Sequence, residues 1–162
     1  MVTNENFLDK IYWNELIPHR EGVLITDFSC LEGFIIIQEL ENGIPRILSI
    51  NKKNGKQNII EFNEEVYDLD FNEGNEYSSN IIQIYYSSMT TPQQIYEYNL
   101  IEKKKIILKK QEIPSGHDPK KYITKRIFAK SDDGETIPIS ILKKNLKMNC
   151  LIISKYLIKK LK

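Results

Sequence analysis

The sequence repeats one pattern of short apolar segments at an interval of 47 or 48 residues. Residues 34–62 can be laid over residues 81–108 with only a small slip, since Ile81 lies 47 positions after Phe34. The matched positions are 34–37 with 81–84, Pro45 with Pro92, 47–51 with 95–99, and 59–60 with 106–107. Short antiparallel strands repeated at such a length are typical of β-propeller blades, four-stranded sheets that bury their faces against neighbouring blades. The repeat therefore predicts a mainly β protein with about two blades.

Hydrophobic periodicity within the repeat is that of strands. Residues 67–71 alternate large apolar side chains with two aspartates, which gives this segment one apolar face. Residues 34–37 and 81–85 are rich in isoleucine and aromatic residues at successive positions, which is typical of strands buried on both faces in the middle of a sheet. Asn-Gly pairs and other turn signals separate these segments. We expect antiparallel sheets and essentially no helix over residues 31–111.

The charge balance argues against nucleic acid as a partner. Lysine and arginine total 23 against 22 aspartate and glutamate residues, whereas a dedicated nucleic-acid binder normally carries a dominant basic face. Residues 1–10 contain acidic side chains and no apolar core, so they do not resemble a signal peptide. No run approaches the roughly 18 apolar residues that a membrane span needs. A cytoplasmic protein without a membrane partner is expected.

The two cysteines do not indicate a metal site or a disulfide. Cys30 and Cys150 lie 120 residues apart, and neither has a cysteine or histidine near it at metal-ligand spacing. We expect both thiols to be reduced and structural, and we expect the chain to need no cofactor.

One aspartate-glycine segment could suggest calcium binding. Asp132, Asp133 and Gly134 lack the ligand spacing of a calcium-binding EF-hand loop. Asp-Gly pairs favour tight reversals of the chain. We therefore predict a hairpin in which this segment joins a strand over residues 122–131 to a strand over residues 136–144.

Residues 85–98 read YYSSMTTPQQIYEY and raise the question of a catalytic hydroxyl cluster. A nucleophilic hydroxyl needs a positioned base, and no histidine lies between His19 and His117. The same residues suit a turn, because Pro92 fixes its own backbone φ angle and Ser and Thr hydroxyls bond nearby backbone amides. We predict a turn between two strands. His19 follows Pro18 and is expected to be a surface or turn residue.

Four stretches in order resemble the prolyl oligopeptidase family of serine peptidases, and within it the oligopeptidase B (protease II) group. They read WNELIPHREGVLITDF, GFIIIQELENGIPRILSI, YSSMTTPQQIYEYNL and ILKKQEIPSGHDPKKYITKRIFAKSDDGETIPISILKK, and together they run from about Trp13 to Lys144. The resemblance implies a seven-bladed propeller that caps an α/β-hydrolase domain. It also implies a Ser, Asp and His triad that cleaves short peptides after Lys or Arg, with the propeller restricting access to it.

Under this resemblance the chain divides into four parts. Residues 1–112 correspond to the last propeller blades, and residues 113–121 to the hinge, which includes His117. Residues 122–145 correspond to the first strands of the hydrolase domain, and residues 146–162 form an aberrant basic tail. The family's G-x-S-x-G nucleophile elbow is missing from the 162 residues, and no histidine follows His117. We therefore assign no catalytic residue and expect the chain alone to be inactive.

The last 17 residues contain five lysines and no acid, and their origin has two explanations. Apolar residues recur there at three- and four-residue spacing, which is typical of an amphipathic helix on a membrane surface. These residues are Leu146, Cys150, Ile153, Leu157 and Leu161. A reading frame broken near codon 145 in an A/T-rich gene also explains them, and we favour this second explanation.

Two functional classes remain open at this stage. The first is a catalytically empty part of a serine oligopeptidase, whose partner is a separately encoded remainder and whose short peptide substrates bind only to the complete enzyme. The second is a non-enzymatic binding or scaffold protein that uses its sheets as a surface and its basic tail for docking.

Overall fold

Two four-stranded antiparallel sheets of the same construction make up most of the structure. The computed structural model describes residues 10–145 and 152–153. In both sheets the strands lie in sequence order, each hydrogen-bonded to the next along the chain. The first sheet contains β1 (Val23–Cys30), β2 (Phe34–Glu41), β3 (Ile44–Asn51) and β4 (Gln57–Ile60). The second sheet contains β5 (Tyr67–Asn72), β6 (Ile81–Ser88), β7 (Gln94–Asn99) and β8 (Lys104–Lys110).

The predicted repeat is confirmed by the positions of these strands. Phe34 begins β2 and Ile81 begins β6, and each is the second strand of its sheet. Asn51 and Asn99 end the corresponding third strands, β3 and β7. The matched isoleucine pairs lie in the fourth strands, β4 and β8. The two sheets are therefore two consecutive blades of a β-propeller, as the sequence indicates.

Helical structure in the described residues is limited to two short 3-10 turns. They cover Lys10–Tyr12 and Pro119–Lys121. Residues 31–111 consist of strands, turns and loops, as predicted. No helix in the described part of the chain is long and apolar enough to cross a membrane.

The turn between β2 and β3 is a two-residue hairpin turn. Its central residues are Asn42, with φ +51°, and Gly43, with φ +73°. Two successive positive φ values define the type I′ turn, whose twist matches that of the flanking strands and which favours the Asn-Gly pair. The local sequence therefore fixes this turn and with it the pairing register of β2 and β3.

The main hydrophobic core lies between the two sheets. The isoleucine side chains of Ile36, Ile47 and Ile84 are completely buried there. The first sheet and its loops contribute Leu31, Phe34, Ile36, Ile47 and Ile60 to this core, and the second contributes Leu69, Phe71, Ile82, Ile84, Tyr86, Tyr98 and Leu100. Because side chains alternate along a strand, one face of each sheet supplies nearly all of these residues.

One prediction for β6 is wrong. This strand lies between β5 and β7, in the middle of its sheet as expected. However, Ile81 is 40% exposed and Gln83 is also exposed, whereas their neighbours Ile82 and Ile84 are buried. The reason is that the first sheet covers one face of the second sheet, and the other face carries residues that no described segment buries to the same degree.

A buried glutamate stabilises the opposite face of the first sheet. The Glu39 side chain is fully buried in β2 and pairs across the strands with Arg46, whose Nε donates to Glu39 Oε1 over 2.5 Å. Arg20, from the segment before β1, forms a second ion pair with the same carboxylate. Ile17, from that segment, packs against the small apolar cluster on this face. The segment before β1 is therefore attached to the sheet by one apolar and one charged contact.

The outermost strand of the second sheet, β8, is exposed along its whole length. Ile106, Ile107 and Leu108 are each more than half exposed. Two lysines precede these three residues and two lysines follow them. The order of the strands makes β8 an edge of the sheet.

A third sheet follows the two blades. It contains β9 (Tyr122–Lys130), β10 (Thr136–Lys144) and β11 (Ile152–Ile153), in the order β11-β10-β9. The predicted hairpin is confirmed, and Asp133 Oδ1 accepts a hydrogen bond from the Glu135 amide over 3.1 Å in its turn. Ile153, which the less favoured amphipathic-helix explanation places in a helix, pairs as a strand with Ile141, because the edge of β10 offers backbone partners there. The rest of the helix prediction lies outside the described residues.

Substitution of Ile84 tests which face of the second sheet forms the core. We expect Ile84→Ala to lower the free energy of unfolding by about 2–5 kcal/mol, because it leaves a cavity between the sheets. The matched control is Ile81→Ala on the other face of the same strand, with an expected loss of about 1 kcal/mol or less. Urea denaturation followed by fluorescence measures both, and equal losses would contradict the described packing.

Substitution of Glu39 tests the buried ion pairs. Glu39→Gln is expected to cost about 3–5 kcal/mol, because it leaves the guanidinium groups of Arg20 and Arg46 without their buried counter-charge. Glu41 is the control, since it also pairs with Arg46 but its side chain is 39% exposed. Glu41→Gln should cost about 1 kcal/mol or less. Thermal unfolding measures the stability of both variants. A larger loss of stability for Glu41→Gln than for Glu39→Gln would contradict this expectation.

Candidate functional site

Four hydroxyl groups surround one carboxylate where the two blades are connected. Glu64 lies in the connection between β4 and β5, residues 61–66. Its Oε1 accepts hydrogen bonds from the Tyr86 hydroxyl at 2.8 Å and the Thr91 hydroxyl at 2.5 Å. Its Oε2 accepts from the hydroxyls of Ser88 and Thr90, both at 2.6 Å. The carboxylate is therefore bonded to the end of β6 and to the turn that follows it.

These contacts favour the ionised form of Glu64. Partial burial raises the pKa of its carboxyl, but the four hydroxyl donors together outweigh burial and hold the pKa below its ordinary value. The pKa values of the neighbouring tyrosines shift in the opposite direction, upward. Burial and then the bond to Glu64 raise the pKa of Tyr86, and burial with the nearby Glu64 charge raises the pKa of Tyr96. At neutral pH the cluster thus holds one negative charge and neutral hydroxyl donors.

Residues 89–93 form the turn between β6 and β7 that the sequence predicts, and the two serines before it end β6. Ser88 Oγ accepts hydrogen bonds from the backbone amides of Thr90, at 3.0 Å, and Thr91, at 2.8 Å. Local side-chain bonds of this kind are typical of serine in turns. Sequence reasoning missed Glu64, which lies more than 20 residues earlier in the chain and outside any motif. The only sequence signal is that Glu64 and Glu65 are two successive acidic residues. Such pairs are too common to indicate a site.

An aromatic cluster also packs against the connection between the two blades, through Phe62. Phe62 stacks on Tyr86 with a centroid separation of 4.7 Å, and the rings of Tyr67 and Tyr96 each lie 5.7 Å from it. Lys105 Nζ, from β8, lies 4.1 Å from the Phe62 centroid, which is a cation–π geometry. Burial lowers the pKa of this lysine. The rings and the hydroxyl cluster share Tyr86 and thus form one continuous site.

His117 contacts the same turn from the connection between the second and third sheets. Its Nε2 lies 2.6 Å from the backbone oxygen of Thr90, and its ring stacks on Tyr122 at 5.7 Å. A carbonyl oxygen only accepts hydrogen bonds, so Nε2 carries the proton and donates it. His117 therefore anchors residues 111–121 to the turn and does not act as a base toward the hydroxyls of the cluster.

The remaining candidate residues lie apart from this cluster. His19 is exposed before β1, and Cys30 is an exposed free thiol in the last position of β1, not a core residue. Asp132, Asp133 and Gly134 form the hairpin turn of the third sheet, and Cys150 lies outside the described residues. No group of three or more His, Cys, Asp or Glu in residues 10–145 could hold a metal ion.

Curated relatives of this chain are peptidases. It is 30% identical over 131 residues to dipeptidyl aminopeptidase BI of Pseudoxanthomonas mexicana, a match that covers 80% of this chain and 18% of that protein. It is 27% identical over 139 residues to the uncharacterized peptidase y4qF of Sinorhizobium fredii, again over 80% of this chain and 18% of the relative. The chain thus spans about a fifth of the length of the curated relatives it matches.

Solved structures share the fold. Oligopeptidase B from Trypanosoma brucei superposes with a TM-score of 0.73 at 23% identity, over 83% of this chain and 20% of that structure. Oligopeptidase B from Leishmania major gives a TM-score of 0.72 at 20% identity, over 82% and 20% respectively. The family model described as the prolyl oligopeptidase N-terminal beta-propeller domain matches residues 3–111. Two packed four-stranded blades and this match lead to one conclusion: the chain belongs to the prolyl oligopeptidase family and contains part of its β-propeller domain.

Proposed function

We propose that this chain supplies the end of the propeller, the hinge and the first hydrolase strands of a serine oligopeptidase that cleaves short peptides after Lys or Arg. The observation that carries the proposal is the anchored exit from the second blade. There, the turn after β6 is bonded both to Glu64 and to His117. Such an anchor suits a segment that must hold a second domain at a defined position on the propeller. The names of the relatives support the peptidase part of this assignment.

In this proposal the role of the chain is access control and not chemistry. The hydroxyls of Ser88, Thr90 and Thr91 donate to Glu64, and the Nε2 proton of His117 is donated to a carbonyl. A nucleophile requires a hydroxyl whose proton a neighbouring base accepts. The described cluster offers a carboxylate of lowered pKa instead, which is a weak base. These features support a propeller that is non-catalytic alone.

The third sheet is the proposed contact for the remainder of the hydrolase domain. Ile127 is 42% exposed and Phe128 is 56% exposed on β9. These successive residues lie on opposite faces of the sheet, and exposed apolar side chains on either face favour a covering partner. The proposed parts are residues 1–112 for the propeller, 113–121 for the hinge and 122–145 for the hydrolase strands. The partner is the remainder of the peptidase, encoded with this chain or separately.

The first test is a peptidase assay on the purified chain. We expect no hydrolysis of a fluorogenic peptide ending in Arg, because the cluster contains no activated nucleophile. Trypsin serves as the positive control for the substrate. Turnover that survives repurification and is blocked by a serine-directed reagent would refute the non-catalytic role, and blanks after each purification step exclude contamination.

A second test uses the pH dependence of the anchor. Because the folded pKa of Glu64 is lowered, its carboxylate stabilises the fold at pH values above its ordinary value of 4.5, and this contribution is lost as the pH falls through the lowered folded value. Glu64→Gln should therefore cost about 1–2 kcal/mol at pH 7, with hydrogen bonds to a charged group lost. The difference from the unmodified chain should shrink in acid.

Glu61→Gln is the matched control for this test. Glu61 is an exposed residue of the same connection: its backbone oxygen accepts a hydrogen bond from Lys105, and its carboxylate acts on that lysine through its charge. Urea denaturation at pH 7 and at pH 3.5 measures both variants. A cost for Glu64→Gln that is equal at the two pH values, or no larger than that of Glu61→Gln, would contradict the described charge at the anchor.

A further inference from the structure

A polar cavity lies between the last strands of the two blades. It measures about 340 Å³, and its walls come from the end of β4, from β7 and β8 and from the turn between β7 and β8. This volume is within the range of about 300–1,000 Å³ that is typical of small-molecule sites. A second cavity of about 200 Å³ shares Asn58 and Lys103 with the first and adds Lys56. The lining residues of the first cavity are Asn58, Ile59, Ile60, Glu61, Tyr98, Lys103 and Lys105.

The hydroxyl of Tyr98 is a hydrogen-bond donor without an acceptor at this cavity. Tyr98 is only 4% exposed, and its hydroxyl oxygen accepts a hydrogen bond from Asn58 Nδ2 at 3.2 Å. No described residue accepts the proton of that hydroxyl. Burial raises the pKa of Tyr98, so the proton is retained at neutral pH. Because buried polar groups are normally hydrogen-bonded, this proton is available to a ligand in the cavity.

Two lysines add positive charge to the same walls. Lys105 Nζ donates to the backbone oxygen of Glu61 over 2.6 Å, and an ammonium group has three protons to donate. Lys103 Nζ pairs with no carboxylate or carbonyl in residues 10–145. Lys104, between them, pairs with Glu102 at 3.4 Å and lines neither cavity. The ammonium groups of Lys103 and Lys105 therefore have unused donors at the cavity.

The turn between β7 and β8 holds Lys103 in position. Lys103 has φ +57°, in the left-handed region that favours glycine. Its amide donates to the backbone oxygen of Asn99 over 2.8 Å. Asn99 Oδ1 in turn accepts from the amides of Ile101 and Glu102, both at 2.9 Å. The turn thus presents a lysine at a position where glycine would be less strained, and strained residues of this kind cluster at functional sites.

We propose that this cavity binds the phosphate group of a small phosphorylated molecule. The Tyr98 hydroxyl and the second Nδ2 proton of Asn58 donate to phosphate oxygens, which only accept hydrogen bonds. The ammonium groups of Lys103 and Lys105 supply charge-assisted bonds to the same oxygens. The rest of the molecule occupies the adjoining cavity.

Charge favours a phosphate over a carboxylate as the ligand. A phosphate monoester carries about −1.5 to −2 charge at pH 7, whereas a carboxylate carries one negative charge. Three lysines line the two cavities, Lys56, Lys103 and Lys105, and Glu61 is the acidic residue that lines the first. The excess of two positive charges matches a phosphate monoester. The site does not depend on the peptidase assignment, because its residues all lie in this chain, so the two proposals fail separately.

Titration with inorganic phosphate and with glycerol phosphate tests the site. Chloride at equal ionic strength is the salt control, and acetate is the carboxylate control. Two-dimensional NMR of the 19.0 kDa chain follows the backbone amides of residues 56–60 and 98–105. We expect these signals to move along one saturating curve with both phosphates, and acetate to bind at least about tenfold more weakly. Shifts that chloride reproduces, equal affinity for acetate, or binding of inorganic phosphate alone would overturn the proposal.

Lys103→Gln and Lys104→Gln form a matched pair of variants. Both remove one positive charge from the same exposed stretch, but only Lys103 lines the cavities. We expect Lys103→Gln to weaken phosphate binding about tenfold, because a hydrogen bond to a charged group is lost. Lys104→Gln should change the affinity by less than about twofold, since an exposed charge is screened by salt. Equal losses in the two variants would show diffuse attraction to the lysines and overturn the proposal.

Tyr98→Phe removes the buried donor without a change in charge. We expect phosphate binding to weaken by about tenfold, and the exposed Tyr77 provides the control variant Tyr77→Phe, which should bind as the unmodified chain does. The spectrum of each variant without phosphate shows whether it is folded. Full affinity in folded Tyr98→Phe would overturn the proposal. If Tyr98→Phe does not fold, the comparison of Lys103→Gln with Lys104→Gln decides alone.

Discussion

The burial of one face of each blade against the other is the contact on which the other features of this chain depend. A four-stranded sheet exposes two faces, and the first and second sheets each cover one face of their neighbour with isoleucine and aromatic side chains. This packing brings residues 61–66, which follow β4, against the end of β6, where Phe62 stacks on Tyr86 and Glu64 accepts its hydroxyl. Phe62 joins the aromatic cluster and Glu64 reaches Tyr86 only because the two sheets are already in contact.

The connection between the blades consequently contacts three neighbours with three different residues. Phe62 packs on the rings of the second sheet, Glu64 accepts the hydroxyls of the turn after β6, and Glu65 accepts the amide of Arg126. Thr90 of that turn accepts a hydrogen bond from His117 through its backbone oxygen. A short segment without regular structure thus connects the two blades, residues 111–121 and the third sheet. Its charged residues act through fixed partners and not as a solvated acidic patch.

The sequence allowed the strands, their turns and their repeat to be predicted because each depends on neighbouring residues. Alternation over residues 67–71, the Asn-Gly turn at Gly43 and the Asp-Gly turn at Gly134 all act within one hairpin. Glu39, Glu64 and Arg126 could not be predicted, since their partners lie 7 to 84 positions away in the chain. A single sequence does not reveal which distant loop meets which strand. The one-sided burial of β6 was missed for a related reason, because apolar residues do not indicate whether a neighbouring sheet is present.

The lysines of β8 protect the chain against aggregation at its open edge. An exposed edge strand with Ile106, Ile107 and Leu108 at its centre is a template for pairing with another copy. If two such edges met antiparallel, the lysine pair at the start of one strand would face the lysine pair at the end of the other. Like charges directly opposite one another destabilise a strand pair. The two lysine pairs therefore disfavour pairing of this edge with a second copy of itself, while β8 pairs with β7 on its other side.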